Sequence, residues 1–83
     1  MLKRPRDAIP AHQAAAACFR DAGDKRGEGR TLAYLGGIQH LAGQFEDAEA
    51  TLLQAIAILR DAGDRDTEAL ASRFLTHSRA HRG

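Results

Sequence analysis

Leu32-Ala-Tyr-Leu-Gly-Gly-Ile-Gln-His-Leu-Ala-Gly-Gln-Phe-Glu-Asp-Ala-Glu-Ala-Thr-Leu-Leu-Gln-Ala55 is the stretch whose reading decides the fold. It reads as two amphipathic helices joined by a tight turn at Ala42-Gly43-Gln44. The second of these carries Phe45, Ala48, Leu52, Ala55, Ile56 and Leu59 at three-to-four spacing. Leu53, Ala57 and Ile58 widen its apolar arc and leave a polar stripe of Asp47, Thr51, Gln54 and Asp61, an arc suited to neighbours on two sides.

Outward from this stretch the chain repeats itself. Arg20-Asp21-Ala22-Gly23-Asp24 returns as Arg60-Asp61-Ala62-Gly63-Asp64, an offset of forty residues. The same offset pairs Asp7-Ala8 with Asp47-Ala48, Ala15 with Ala55, Ala17 with Ala57, Glu28 with Glu68, Tyr34 with Phe74 and Leu35 with Leu75. Five consecutive identities in 83 residues mark a true internal repeat. The fold class expected is all-α, with four helices and short connections.

The first helix runs from Pro10, which suits a first turn because its missing N–H costs nothing there, to about Ala22. Gly23 stops it as a left-handed cap. Asp24 can cap the second helix, with Glu28 placed to favour its positive end. Gly27 and Gly29 weaken that first turn, so firm helix is expected only from about Arg30 to Leu41. The third helix spans Phe45 or Glu46 to Ala62, and the fourth starts after Asp64 or Asp66 and runs to about Ala80. Residues 1–9, basic and proline-containing, are expected to form a flexible N-terminus. Residues 10–83 form the helical module, divided as 10–23, 24–63 and 64–83, a complete repeat between two halves.

Composition agrees. The chain is 43% hydrophobic and 28% charged, and it lacks Val, Trp and Asn. Ala and the long charged side chains favour helix, and the branched and aromatic residues that cover a sheet are scarce. Twelve Lys and Arg against eleven Asp and Glu give a net charge of +1, too little field to hold a polyanion. The basic ends, Lys3, Arg4 and Arg6 at one and Arg73, His77, Arg79, His81 and Arg82 at the other, read as solubilising. A single cysteine, Cys18, excludes an internal disulfide and suits a cytoplasmic protein, with the side chain expected as a small buried hydrophobe. No apolar run approaches the roughly 20 residues that span a bilayer, and Lys3-Arg4-Pro5-Arg6 is not followed by the apolar region of a signal peptide.

Leu32-x2-Leu35-Gly36-x2-Gln39 followed by Gly43-x-Phe45-x2-Ala48-x3-Leu52-x2-Ala55 resembles the tetratricopeptide repeat. The resemblance implies a right-handed solenoid of antiparallel helix pairs. In it small residues at Gly36, Ala48 and Ala55 allow close approach, and Leu32, Leu35, Phe45 and Leu52 fill the seam. The pattern has departures: Leu32 where Trp is common, Gln39 where Tyr is, Arg60 in place of the closing Pro, Thr76 where Gly is wanted, and Pro10 within a helix. The forty-residue period exceeds the usual 34, and the extra residues are assigned to the Ala-Gly-Asp-x-x-x connection. That long variant looks like the arrays of bacterial transcription regulators and signalling ATPases.

The resemblance implies a groove lined by the first helices of successive units, here Arg30, Ala33, Gly37 and His40 with Leu70, Arg73, His77 and His81. Such a groove is basic and suits an acidic or C-terminal peptide. The family's clamp for a terminal carboxylate uses Asn, which this chain lacks, so that specificity is not carried over. The function expected is a non-catalytic protein-interaction scaffold without cofactors. The rivals are a self-assembling homo-oligomer joined through open repeat ends, where Leu70, Phe74 and Leu75 are expected to be exposed, and a regulatory fragment of a larger regulator that acts on DNA only indirectly.

No catalytic constellation can be assembled. His77 and His81 have the spacing of two metal ligands, but Ser78 stands where a zinc-protease helix needs Glu, and a third ligand is present only if His40 reaches across. Gly23-x3-Gly27-x-Gly29 follows a helix rather than a strand and lacks Gly-Lys-Ser/Thr, so it is no phosphate loop. Asp61, Asp64, Asp66 and Glu68 fail the calcium-loop spacing and serve as helix ends.

Overall fold

The backbone reverses three times, each time on a glycine. Gly23, Gly43 and Gly63 adopt φ of 74°, 81° and 75°, the left-handed conformation in which a Cβ is strained. At each joint the glycine N–H donates to the carbonyl three residues back and the next N–H to the carbonyl five back. These are Gly23 to Arg20 with Asp24 to Phe19, Gly43 to His40 with Gln44 to Gln39, and Gly63 to Arg60 with Asp64 to Leu59. The paired bonds satisfy carbonyls that a helix end leaves orphaned.

Between these joints lie four helices in a computed structural model that describes residues 4–82: α1 (Ile9–Asp21), α2 (Lys25–Leu41), α3 (Phe45–Ala62) and α4 (Arg65–Arg82). A short 3-10 turn, Pro5–Ala8, leads into α1, and there is no strand among the described residues. Lys3 and the side chain of Arg82 lie outside the described residues. α2 and α4 begin forty residues apart, as the repeat requires.

The two Arg-Asp-Ala-Gly-Asp joints repeat in chemistry as well as in sequence. Asp24 Oδ1 accepts from the Gly27 N–H at 2.9 Å, and Asp64 Oδ1 from the Thr67 N–H at 3.2 Å. Arg20 reaches Glu28 at 3.4 Å, and Arg60 reaches Glu68 at 3.0 Å. Each joint thus combines a left-handed glycine, a capping aspartate and an arginine bridging to the next helix. At the middle joint Gln44 caps α3 without a side-chain bond.

Three expectations need correction. First, α2 is helical from Lys25, not from Arg30. Asp24 caps it, and Gly29 is retained because α3 lies too close for a side chain: a Cβ there would be 2.8 Å from Leu59 Cγ. Second, the residues beyond a 34-residue period do not lengthen the connection, because Arg65, Asp66 and Thr67, read as part of it, are the first turn of α4. Only Gly63 and Asp64 separate α3 from α4, so the extra length is in the helices, which run to 17 and 18 residues. Third, Cys18 is exposed. α1 turns Ala16 inward, and Cys18, two residues on, points away from that face.

α2 is the hub: it packs on α1, α3 and α4, and α3 packs on α4. α1 and α3 make no contact with each other among the described residues. Helices that touch on one side and stand apart on the other form a curved stack, with α2 and α4 on the inside. The whole measures 31 × 30 × 17 Å. Its core is Leu32, Ala33, Leu35, Ala48, Leu52, Ala55, Leu59, Ala71 and Leu75 with Ala16. Gly36 receives Leu52, and Phe45 is half-buried. The broad arc of α3 is covered only in part, since Leu53 remains 46% exposed.

The expected apolar outer face of α4 is not there. Leu75 is 7% exposed, Phe74 lies against Gly37, and Leu70 is half-buried. The residues α4 turns outward include Ser72, Thr76 and Arg79, which stand forty residues after Leu32, Gly36 and Gln39. The face that α2 uses to bury α3 is therefore polar in α4.

Gly36→Ala would put a Cβ 2.5 Å from Leu52 Cγ, in a side chain with no free space. It should lower stability by about 1–3 kcal/mol in urea unfolding despite the better helix propensity of Ala. Gln39, 5% exposed, has an Oε1 without a hydrogen-bond partner among the described residues. Gln39→Met should raise stability by about 1 kcal/mol in the same measurement.

Candidate functional site

The inner face combines α2 and α4, and charge divides along the same line. α2 and α4 carry Lys25, Arg26, Arg30, Arg65, Arg73, Arg79 and Arg82 against Glu28, Asp66 and Glu68. α1 and α3 carry Arg20 and Arg60 against Asp21, Glu46, Asp47, Glu49 and Asp61. A net charge of +1 thus conceals a basic inner layer on an acidic outer one. Among the described residues Arg26, Arg65 and Arg73 make no ion pair, whereas Lys25 is held by Asp61 at 2.5 Å and Arg79 by Glu49 at 3.7 Å.

Arg30 is exposed at the near end of this face, where its Nε donates to Asp64 Oδ2 at 2.7 Å. The bond raises the arginine pKa, and together with the Thr67 N–H it holds the Asp64 carboxyl below the usual carboxylate range. Asp64 is 6% exposed. It therefore ties α2 to the start of α4 while capping α4.

Ala33 is fully buried, and a Cβ at Gly37 would lie 3.0 Å from Phe74 Cε2. These two residues form the floor on which α4 rests and are out of reach of a ligand. Arg73, His77 and His81 are exposed on α4, and Leu70 is partly so. Reading the sequence missed Arg26, Arg65, Tyr34 and Leu41. Tyr34 is 53% and Leu41 69% exposed. Arg26, Arg30 and Tyr34 follow one another at intervals of four, and Leu41 lies seven beyond Tyr34, so all share one strip of α2. The signal was available: two large apolar residues sit at i and i+7 off the face that meets α3.

At the far end three imidazoles gather. His40 and His81 ring centroids are 5.3 Å apart, and His40 and His77 are 6.4 Å apart. His81 stacks on Phe45 at 5.1 Å, and His40 meets the edge of Phe45 at 5.3 Å. His40 does reach across to α4, where its Nδ1 and the Ser78 hydroxyl are hydrogen-bonded at 2.9 Å. Among the described residues no group of three His, Cys, Asp or Glu side chains is arranged to hold a metal ion. Nor is any helix long and apolar enough to cross a membrane.

Burial lowers the His40 pKa below its ordinary 6.5, and the neighbouring His81 and His77 lower it further. The folded state therefore prefers neutral His40, and the unfolded chain takes up the proton first. Stability from this group is complete above pH 6.5 and lost as pH falls below it. Urea midpoints should decline between pH 7.5 and 5.5, and His40→Gln should flatten that decline. An unchanged slope would exclude His40 as its source.

The chain matches the tetratricopeptide repeat family over residues 1–61. No curated protein and no solved structure matches it. The match covers most of the chain and includes the whole α1–α2 pair and nearly all of α3, whose Leu59 and Leu52 pack on Gly29 and Gly36 of α2. The chain belongs to the tetratricopeptide repeat family.

Proposed function

We propose that this protein is a non-catalytic interaction module that binds an acidic peptide or protein segment along the inner face of α2 and α4. The segregation of charge carries the reading: Arg26, Arg65 and Arg73, which make no ion pair among the described residues, stand on the two inner helices. Tyr34 and Leu41 add exposed apolar area between and beyond them. Charged and apolar contacts in one strip give a partner both attraction and register. α2, at 17 residues, is about 25 Å long, enough for roughly seven residues of extended chain. Arg30, His40, Leu70, Arg73, His77 and His81 belong to this surface, with Ala33 and Gly37 beneath it.

Self-assembly through the ends of the stack has less behind it. A second copy docking on α4 as α3 docks on α2 would meet Ser72, Thr76 and Arg79 in place of Leu32, Gly36 and Gln39. That contact would bury polar groups without partners.

A peptide array graded from basic to acidic should show retention rising with negative charge and falling as salt is added. Arg26→Glu with Arg73→Glu should abolish retention while the helical circular dichroism is unchanged, since neither residue makes an ion pair among the described residues. Equal retention of neutral and acidic peptides would exclude the basic face as the binding surface.

A further inference from the structure

Two hollows adjoin at the N-terminal turns of α2, and both are walled by Arg26 and Arg30. One, about 330 Å³, opens between the starts of α2 and α4 and is completed by Gly63, Asp64, Arg65 and Asp66. The other, about 310 Å³, lies between α1 and α2, with Phe19 and Gly27 as its apolar floor, Thr31 at its edge and the Asp24 carboxylate, which accepts from the Gly27 N–H, in its wall. Phe19 is 37% exposed and covers Gly27, where a Cβ would be 2.5 Å from Phe19 Cδ1. The missing side chain of Gly27 is what lets the ring lie flat against α2.

The charges in the first hollow are not equivalent. The Asp64 carboxylate is occupied by Arg30 Nε, the Thr67 N–H and the Thr67 hydroxyl, at 2.7, 3.2 and 3.1 Å. Its charge is turned inward and neutralised. Arg26 and Arg65 have no ion pair among the described residues, so two guanidinium groups present unspent donors to the cavity. Guanidinium donors match a carboxylate in geometry and charge. The exposed carboxylates of Asp66 and, in the adjoining hollow, Asp24 oppose an incoming anion.

We propose that the two hollows form one bipartite subsite, which takes an acidic side chain between Arg26 and Arg65 and an apolar side chain of the same segment on Phe19. Residues at i and i+2 of an extended segment point the same way about 7 Å apart, a spacing that fits hollows sharing a wall. Recognition is by paired carboxylate and aliphatic groups, so a segment with Asp or Glu two positions from Leu is selected over one that is merely acidic. The assignment rests on the reading of the inner face as a peptide-binding surface and places its specificity at the Gly23/Gly63 end.

The test uses the full chain, 15N-labelled, and three peptides: Gly-Ser-Leu-Ser-Asp-Ser-Gly, the same with Asp replaced by Asn, and the same with Leu replaced by Ser. The first should shift the amides of Gly27, Gly63, Arg65 and Thr31, and each replacement should weaken binding. Arg26→Ala with Arg65→Ala should weaken the first peptide about tenfold. Asp66→Asn, which removes the opposing charge, should tighten it. All six residues bearing these changes or shifts can be checked in one amide spectrum, which also reports folding. Shifts confined to Arg73, His77 and His81 would overturn the subsite and leave the peptide-binding face standing. Equal affinity for the three peptides would overturn the pairing of acidic and apolar chemistry. No shift with any of them would overturn the subsite and count against the face as well.

Discussion

The structure depends on how closely α3 and α4 can approach α2. Gly29, Gly36 and Gly37 are the positions where α3 and α4 come nearest: Leu59 fills the space above Gly29, Leu52 that above Gly36, and Phe74 that above Gly37. Each glycine costs helix propensity of about 1 kcal/mol, yet each gains the contacts of a large side chain laid against bare backbone. Leu52 and Leu59 are completely buried as a result. With any larger residue at these points α2 would lose its role as hub, and the curvature that puts α2 and α4 on one face would go with it.

Much of this was legible in the residues. The forty-residue offset located the joints, and Gly23, Gly43 and Gly63 were readable as reversals because a helix cannot continue comfortably through a left-handed residue. Of the residues read as seam and contact positions, Leu32, Leu35, Gly36, Ala48, Leu52 and Ala55 are buried and Phe45 is half-buried. Local propensity misled at Gly27 and Gly29, where the cost of glycine is real but is offset by packing that only the third dimension reveals. It misled again at Leu70, Phe74 and Leu75: an apolar row shows that a helix face is covered, not which neighbour covers it.

The inner face was harder to read. Arg30, Arg73, His77 and His81 were placed there by their repeat positions, whereas Ala33 and Gly37 share those positions and are buried. With only two inner helices, the line between floor and rim depends on how far α4 leans over α2, which the Phe74 ring on Gly37 determines. The charge segregation, by contrast, was present in the sequence all along. It stays invisible until the helices are sorted into inner and outer layers, because along the chain the two kinds alternate and their charges cancel.

The matched joints at Gly23 and Gly63 have an evolutionary consequence. Both end in the same five residues, with the same left-handed turn, the same capping aspartate and the same arginine bridge. A segment excised between them carries compatible ends, so tandem duplication in phase would insert a finished unit without new junction chemistry. Lengthening by recombination is therefore available to this sequence at no structural cost at the splice, and each added cassette would extend a basic inner surface by one helix.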